Sequence, residues 1–469
     1  MLFNSLEYAV FFPLVLIAYW LLPLRGQNLL LLAASYLFYG WWDYRFLSLL
    51  LISTVIDFTV GLAIARSEDE SRRRSLLATA IGAQLTILGF FKYFDFFVDS
   101  AAGLLDGWGL QVNPPLLQVL LPVGISFYTF QTISYTFDIY RRRIQPTRSF
   151  VNFALFVAFF PQLVAGPIER ARRLLPQLER SRALSYANIR SGALLILLGL
   201  FKKVAIADVM AGIVDDTFAG ASGAGSVTLL MGIYAFALQI YGDFSGYTDI
   251  ARGSSRLFGI ELMQNFAQPY LSRNITAFWR TWHISLSDWL HDYLYVPLGG
   301  NRRGRLATYR NLMITMLLGG LWHGAAWTFV IWGGLHGIFL AIHRRLGSYV
   351  ERGYQGPFRL RDVLPALATF HLVCLGWVFF RAESFSQALA YLNGLLIFRP
   401  GLPQERFWVL VLAAGLAIFA VDLIQRNWRD DTAILGWGPV ARGLSYGTMA
   451  LAIIVASGGQ ATPFIYFQF

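Results

Sequence analysis

Charge is scarce in this sequence. Asp, Glu, Lys and Arg make up 14% of the 469 residues, against about 25% in a typical soluble globular protein. The deficit recurs along nearly the whole length, which excludes a soluble domain carried on one anchor and implies a polytopic membrane protein. Cysteine is almost absent. Cys374 is the only one, so no intrachain disulfide can form, and in the apolar run HLVCLGWVFF it reads as packing. A cysteine or nucleophile-elbow hydrolase is unsupported. Metal-ligand spacing is missing too: there is no His-x-x-x-His, and no carboxylate stands at a ligand spacing from His323. No metal is expected. The N-terminal stretch lacks a basic n-region and a small-residue cleavage site, and reads as a retained first span.

What the chain has is apolar length. Hydrophobic residues make up 56% of it. A helical span needs about 20 mostly apolar residues. Candidates run over 8–24, 28–44, 46–65, 76–98, 116–140, 150–166, 186–206, 226–250, 309–321, 325–342, 363–380, 405–425 and 440–457. The formal charge of +11 falls in short arginine clusters between these runs, which suits basic cytoplasmic loops better than nucleic-acid binding. Clusters at 66–74, 141–148, 170–182, 302–305 and 344–361 are assigned to the cytoplasm. The loops 99–115 and 208–225 carry Asp106, Asp215 and Asp216 without Lys or Arg and are assigned outside. Both termini then come out extracytoplasmic. Segment 150–166 has basic loops on both sides and is expected to re-enter, breaking near Pro161 or Gly166–Pro167. Segment 274–300 is expected to do the same, which implies a cavity, because non-helical backbone at membrane depth is tolerated only there or inside protein. The stretch 384–404 suits an interfacial helix. The expected fold is all-α: one domain over 1–469, with roughly 11 transmembrane helices plus re-entrant segments around a central catalytic cavity.

Five of the six histidines fall within 278–343. His323 lies in LLGGLWHGAAWTFVIWGG, at a glycine-rich break between two short apolar segments. An ionisable side chain at such depth is a functional candidate by default. A neutral imidazole there is a general base that can take a proton from a hydroxyl attacking an ester or thioester. The alternative is a packing histidine bonded to a carbonyl freed at the break. His283, among Trp279 and Trp282, could orient an acceptor or stabilise an oxyanion, or could belong to an interfacial aromatic belt. His336 lines the same cavity or bridges helices. His291 and His343 read as interfacial and cytoplasmic. In LQIYGDFSGYTDIARG, Gln239, Asp243, Gly246 and Tyr247 share one helix face, lining the cavity or holding it together. The aromatic ending TPFIYFQF either packs at the interface or threads back into the cavity.

WRTWHISLSDWLHDYLYVPLGGNR, followed by GLWHG, resembles the membrane-bound O-acyltransferases, in the bacterial branch that exports acyl groups to cell-surface polymers. PVGISFYTFQTISYTFDIYR, PQLVAGPIER, YGDFSGYTDIARG and FIYFQF carry the same resemblance. It implies that His323 is the catalytic base and His283 the second active-site residue. It implies a cytosolic acyl donor, acetyl-CoA, reaching His323 through a tunnel, with no bound cofactor. It further implies a bacterial inner-membrane location and a periplasmic acetyltransferase partner that modifies an exopolysaccharide such as alginate. Cellulose, peptidoglycan and teichoic-acid D-alanylation are alternatives. The ending also resembles the tail of the small partner protein of teichoic-acid D-alanylation, which makes Tyr466 a candidate acyl acceptor or shuttle. The rival from another class is a non-catalytic transporter or structural subunit of a polymer secretion complex.

Overall fold

The apolar runs are helical in a computed structural model of the chain, which describes residues 1–112, 120–164, 166–346, 356–458 and 464–465, with no strand among them. Contacts between α-carbons divide the chain into two units: residues 1, 5–184 and 258–262, and residues 2–4, 185–257 and 263–469. Six helices are long and apolar enough to cross a membrane among the described residues: Leu24–Arg66, Glu70–Gly107, Ser226–Leu257, Leu360–Arg381, Glu405–Trp428 and Pro439–Ala456.

The first unit holds α1 (Leu6–Trp20), α2 (Leu24–Asp43), α3 (Leu47–Arg66), α4 (Glu70–Leu88), α5 (Phe94–Gly107), α6 (Ile125–Tyr140), α7 (Phe150–Ala158), α8 (Phe160–Leu163) and α9 (Ala171–Glu179). Its polar residues are spent on joining helices. The buried Arg73 guanidinium donates to the carbonyls of Ile64 (3.0 Å) and Tyr140 (2.6 Å), at the C-terminal ends of α3 and α6. That placement suits a cation. The expected break in 150–166 falls at Phe159, whose ψ of 108° leaves the helical region two residues before Pro161. The next amide, of Phe160, donates to Ser35 Oγ at 3.0 Å. Part of 99–115, expected as loop, is helical, because α4 runs through a π-turn into α5 and reaches Gly107. Of the expected span 116–140, residues 116–119 lie outside the described residues and helix begins at Ile125.

The second unit holds α10 (Tyr186–Leu200), α11 (Asp208–Ala219), α12 (Ser226–Leu257), α13 (Ile275–Thr281), α14 (Ile284–Leu290), α15 (Gly304–His323), α16 (Trp327–Arg345), α17 (Val363–Arg381), α18 (Phe385–Leu396), α19 (Glu405–Trp428) and α20 (Pro439–Ala456). The stretch 208–225, expected as an outer loop, is largely α11, joined to α10 by a π-helical turn at Phe201–Ala207. Helices α10 and α12 touch backbone to backbone. A Cβ on Gly199 would lie 2.5 Å from the Gly246 carbonyl oxygen, and one on Gly246 2.7 Å from that of Gly199. Gly192 and Gly253 repeat this at 2.8 and 2.5 Å. Two glycines seven residues apart on each helix therefore set an approach that no side chain permits.

The connections of this unit gather into two sets. Arg252 pairs with Asp431 at 2.5 Å, Arg273 with Asp362 at 2.8 Å, and Gln268 bonds Gln425 at 3.2 Å. In the other set Arg381 pairs with Asp215 at 2.6 Å, and Ser226 and Arg399 donate to the carbonyls of Gly394 and Ser222, each at 2.7 Å. The stretch 384–404, expected as an interfacial helix, is helical over α18, capped by Ser384, whose Oγ accepts from the Gln387 amide. Overpacking a close contact costs about 1–3 kcal/mol. Gly199→Val is therefore expected to lower the thermal midpoint in lipid nanodiscs clearly, whereas Gly212→Val, where a Cβ meets nothing within 4 Å, shifts it little.

Candidate functional site

The sequence places His323 at a break between two helices, and the chain folds that way. His323 is the last residue of α15; Gly324 and Ala326 are extended, and α16 starts at Trp327. The break is sharp because the two helices return against each other at glycines. A Cβ on Gly320 would collide with the Phe329 carbonyl, and one on Gly333 with that of Met316. From Asn311, the first buried residue beyond the arginines of α15, to His323 is 12 residues, about 18 Å of helix. Neither α15 nor α16 is among the six helices long and apolar enough to cross a membrane.

His283 lies on the other segment, between α13 and α14. It is fully buried, with φ 42° and ψ 55°. This left-handed backbone is uncommon for a residue other than glycine. It is held from both sides: the Trp282 amide donates to the Phe278 carbonyl at 2.8 Å, and the Ile284 amide to the Asn265 carbonyl at 2.9 Å. The side-chain Oδ1 of Asn265 takes the Ser285 amide at 3.2 Å. The strained turn aims the imidazole at α15. The rings of His283 and His323 lie 6.2 Å apart, centre to centre, at 54°. Both are packed by aromatic rings: His283 by Phe244 at 4.6 Å and Trp322 at 5.7 Å, His323 by Trp332 at 5.0 Å and Phe380 at 5.3 Å.

His336 is fully buried one helix on. Trp279 Nε1–H donates to its Nδ1 at 3.2 Å, so the neutral ring carries its proton on Nε2. Trp332 touches both His336 (4.8 Å) and His323 (5.0 Å). Trp282 is buried in an aromatic cluster with Phe278, Phe266 and Trp377. Asp243 lies on α12, 2.8 Å from Lys203. Tyr466 lies outside the described residues, while Phe464 and Ile465 just before it are buried. His291 is largely exposed, and its hydrogen bond to Asp292 raises its pKa. His343 bonds Thr276 at 2.9 Å. Among the described residues no three His, Cys, Asp or Glu side chains gather as a metal site would need. Gly443–Gly447 does spell Gly-x-Ser-x-Gly, but Ser445 sits inside α20 with its hydroxyl on the Ala441 carbonyl. A nucleophile elbow requires a strand-to-helix turn instead.

Sequence reasoning passed over Lys202 and Lys203, both buried. Lys202 pairs with Asp249 at 2.8 Å; Lys203 pairs with Asp243 and Asp208, each at 2.8 Å. Two lysines directly after the apolar run LLILLGLF were the available signal.

A model of the membrane-bound O-acyltransferase family matches residues 140–382, which span all of these histidines. The chain is also 41% identical to the probable alginate O-acetylase of Pseudomonas putida, over the full length of both. The chain belongs to the membrane-bound O-acyltransferase family. It is 39% identical to the peptidoglycan O-acetyltransferase of Helicobacter pylori, over 84% of this chain and 80% of that one. Likeness to the teichoic acid D-alanyltransferase of Bacillus subtilis is 26%, over 59% and 72%. The protein is thus a membrane O-acyltransferase, and the reading as a non-catalytic transporter is set aside. Within this family member the backbone at His283 gives a direct test. Asn tolerates the left-handed region and a β-branched residue does not. His283→Val is expected to be less stable than His283→Asn by about 1–3 kcal/mol, measured by thermal unfolding.

Proposed function

We propose that this acyltransferase moves an acetyl group from cytoplasmic acetyl-CoA across the bacterial inner membrane, for O-acetylation of an exopolysaccharide such as alginate. The observation that carries the reading is the pair of buried imidazoles, His283 and His323, 6.2 Å apart on two separate segments. Hydrogen bonds of about 2.7–3.2 Å let one acceptor hydroxyl address both rings. Neutral His323 takes the hydroxyl proton as the oxygen attacks the thioester carbonyl. His283 orients the acceptor or stabilises the oxyanion. The carbon–sulfur bond then breaks, and the leaving thiolate of CoA recovers the proton from His323.

Acetyl-CoA enters by a polar pocket whose lining includes Gln264, Gln268, Thr281, Arg426 and Arg429 beside the carboxylates of Asp430 and Asp431, of which Asp431 is paired with Arg252. Thr281 is two residues from His283, and the arginines suit the donor's phosphates. On the far side, Tyr466 accepts the acetyl group and a periplasmic polysaccharide O-acetyltransferase takes it on. Both termini are then periplasmic, and membrane lipid surrounds the helices. The full-length likeness to the Pseudomonas putida relative favours alginate; the likeness to the Helicobacter pylori relative makes peptidoglycan the second reading.

With purified protein and labelled acetyl-CoA, His323→Ala is expected to slow acetyl transfer by about 10²–10⁴-fold. Transfer at the wild-type rate would overturn the assignment of the base. In cells, Tyr466→Phe is expected to abolish polymer acetylation while leaving the protein folded and able to bind donor. Full acetylation in that variant would rule out the shuttle.

A further inference from the structure

Asp243 uses its two carboxylate oxygens in different directions. Oδ1 lies 2.8 Å from Nζ of Lys203. Oδ2 accepts the backbone N–H of Ile465 at 2.7 Å, across 222 residues of sequence. Lys203 is shared with Asp208 at 2.8 Å, so the lysine sits between two carboxylates. Phe464 and Ile465 are both buried. The Phe464 ring packs on Tyr247 at 4.5 Å and on Phe244 at 5.7 Å. Phe244 in turn stands edge-on to His283 at 4.6 Å. Tyr247 is held from its other neighbour by Phe3 at 4.4 Å.

Each link has a physical reason. A backbone N–H buried in apolar surroundings is costly unless it is bonded. A carboxylate is the stronger acceptor, with roughly twice the strength of a neutral one. A buried carboxylate is itself tolerable only when paired, and Lys203 supplies the charge. The contacts therefore run without a gap from the ion pair between Lys203 and Asp243 of α12, through Ile465 and Phe464, to the ring that packs His283.

We propose that the Lys203–Asp243 pair is a latch that seats the C-terminal segment on α12, and that Phe464, so seated, fixes Phe244 and through it the position of His283. Lys203, Asp243 and Phe464 are positioning residues for acyl transfer. The proposal rests on the reading of His283 and His323 as the reaction site.

The test uses the full chain in lipid nanodiscs, with Asp243→Asn, Phe464→Ala and the double variant. Carboxypeptidase trimming followed by intact mass reads the seat. Wild type is expected to retain Ile465, while both single variants are trimmed past position 464. Steady-state transfer from acetyl-CoA reads the consequence. Each single variant is expected to lose about tenfold in kcat with little change in KM for the donor, the scale of one charge-assisted hydrogen bond. The double variant is expected to be no worse than the poorer single one, as for residues that act as a unit. A tail in Asp243→Asn as resistant as wild type would remove the latch. A loosened tail with wild-type kcat, or losses that multiply in the double variant, would remove the positioning role. Should Asp243→Asn fail to fold, Phe464→Ala carries the same two measurements with the ion pair intact. If His323→Ala transfers at full rate, the reaction-site reading fails while the trimming pattern still decides the latch.

Discussion

At Gly199 and Gly246 the backbones of α10 and α12 meet with no side chain between them, and much of the second unit follows from that contact. It brings the π-helical turn after α10 against the middle of α12, where Lys202 finds Asp249 and Lys203 finds Asp243. Charges at this depth are tolerated only in such pairs. With its polar groups satisfied on one side, α12 presents aromatic rings on others. Tyr241 donates to Asp422 of α19 at 2.9 Å, and Phe244 packs His283. The helix is thus the fixed wall against which the strained segment carrying His283 is set.

The second histidine is placed by the same means. Gly320 and Gly333 let α15 and α16 close on each other as one arm. His323 sits at its tip, where a helix end meets extended backbone. Aromatic rings do the remaining work: Trp332, Trp322 and Phe380 surround the pair. This leaves the imidazoles in an aromatic, largely apolar setting.

The break at His323 was legible because glycine density and hydropathy are local properties. The helical class, the helix break within 150–166 and the helix at 385–396 were legible for the same reason. The roles proposed for the two histidines rest on motif resemblance, because spacing alone left packing roles open. Three things were not legible. Lys202 and Lys203 end an apolar run and look like a span boundary; their partners lie on another helix, and only tertiary structure brings them together. The lack of Lys and Arg, with Asp215 and Asp216, made 208–225 resemble an outer loop, yet acidic residues do not stop a helix that continues through a π-turn. The left-handed backbone of His283 depends on Asn265, which binds the amides on its C-terminal side, and no sequence pattern announces it.

The proposed chemistry requires that His283 and His323 face a single acyl group. The most direct measurement is a cryo-EM structure in lipid nanodiscs with a non-transferring thioether analogue of acetyl-CoA. The expected result is the acyl carbonyl within hydrogen-bond reach of the two imidazoles, with the nucleotide at the pocket of Arg426 and Arg429. An analogue bound with its acyl end away from both histidines would contradict the account.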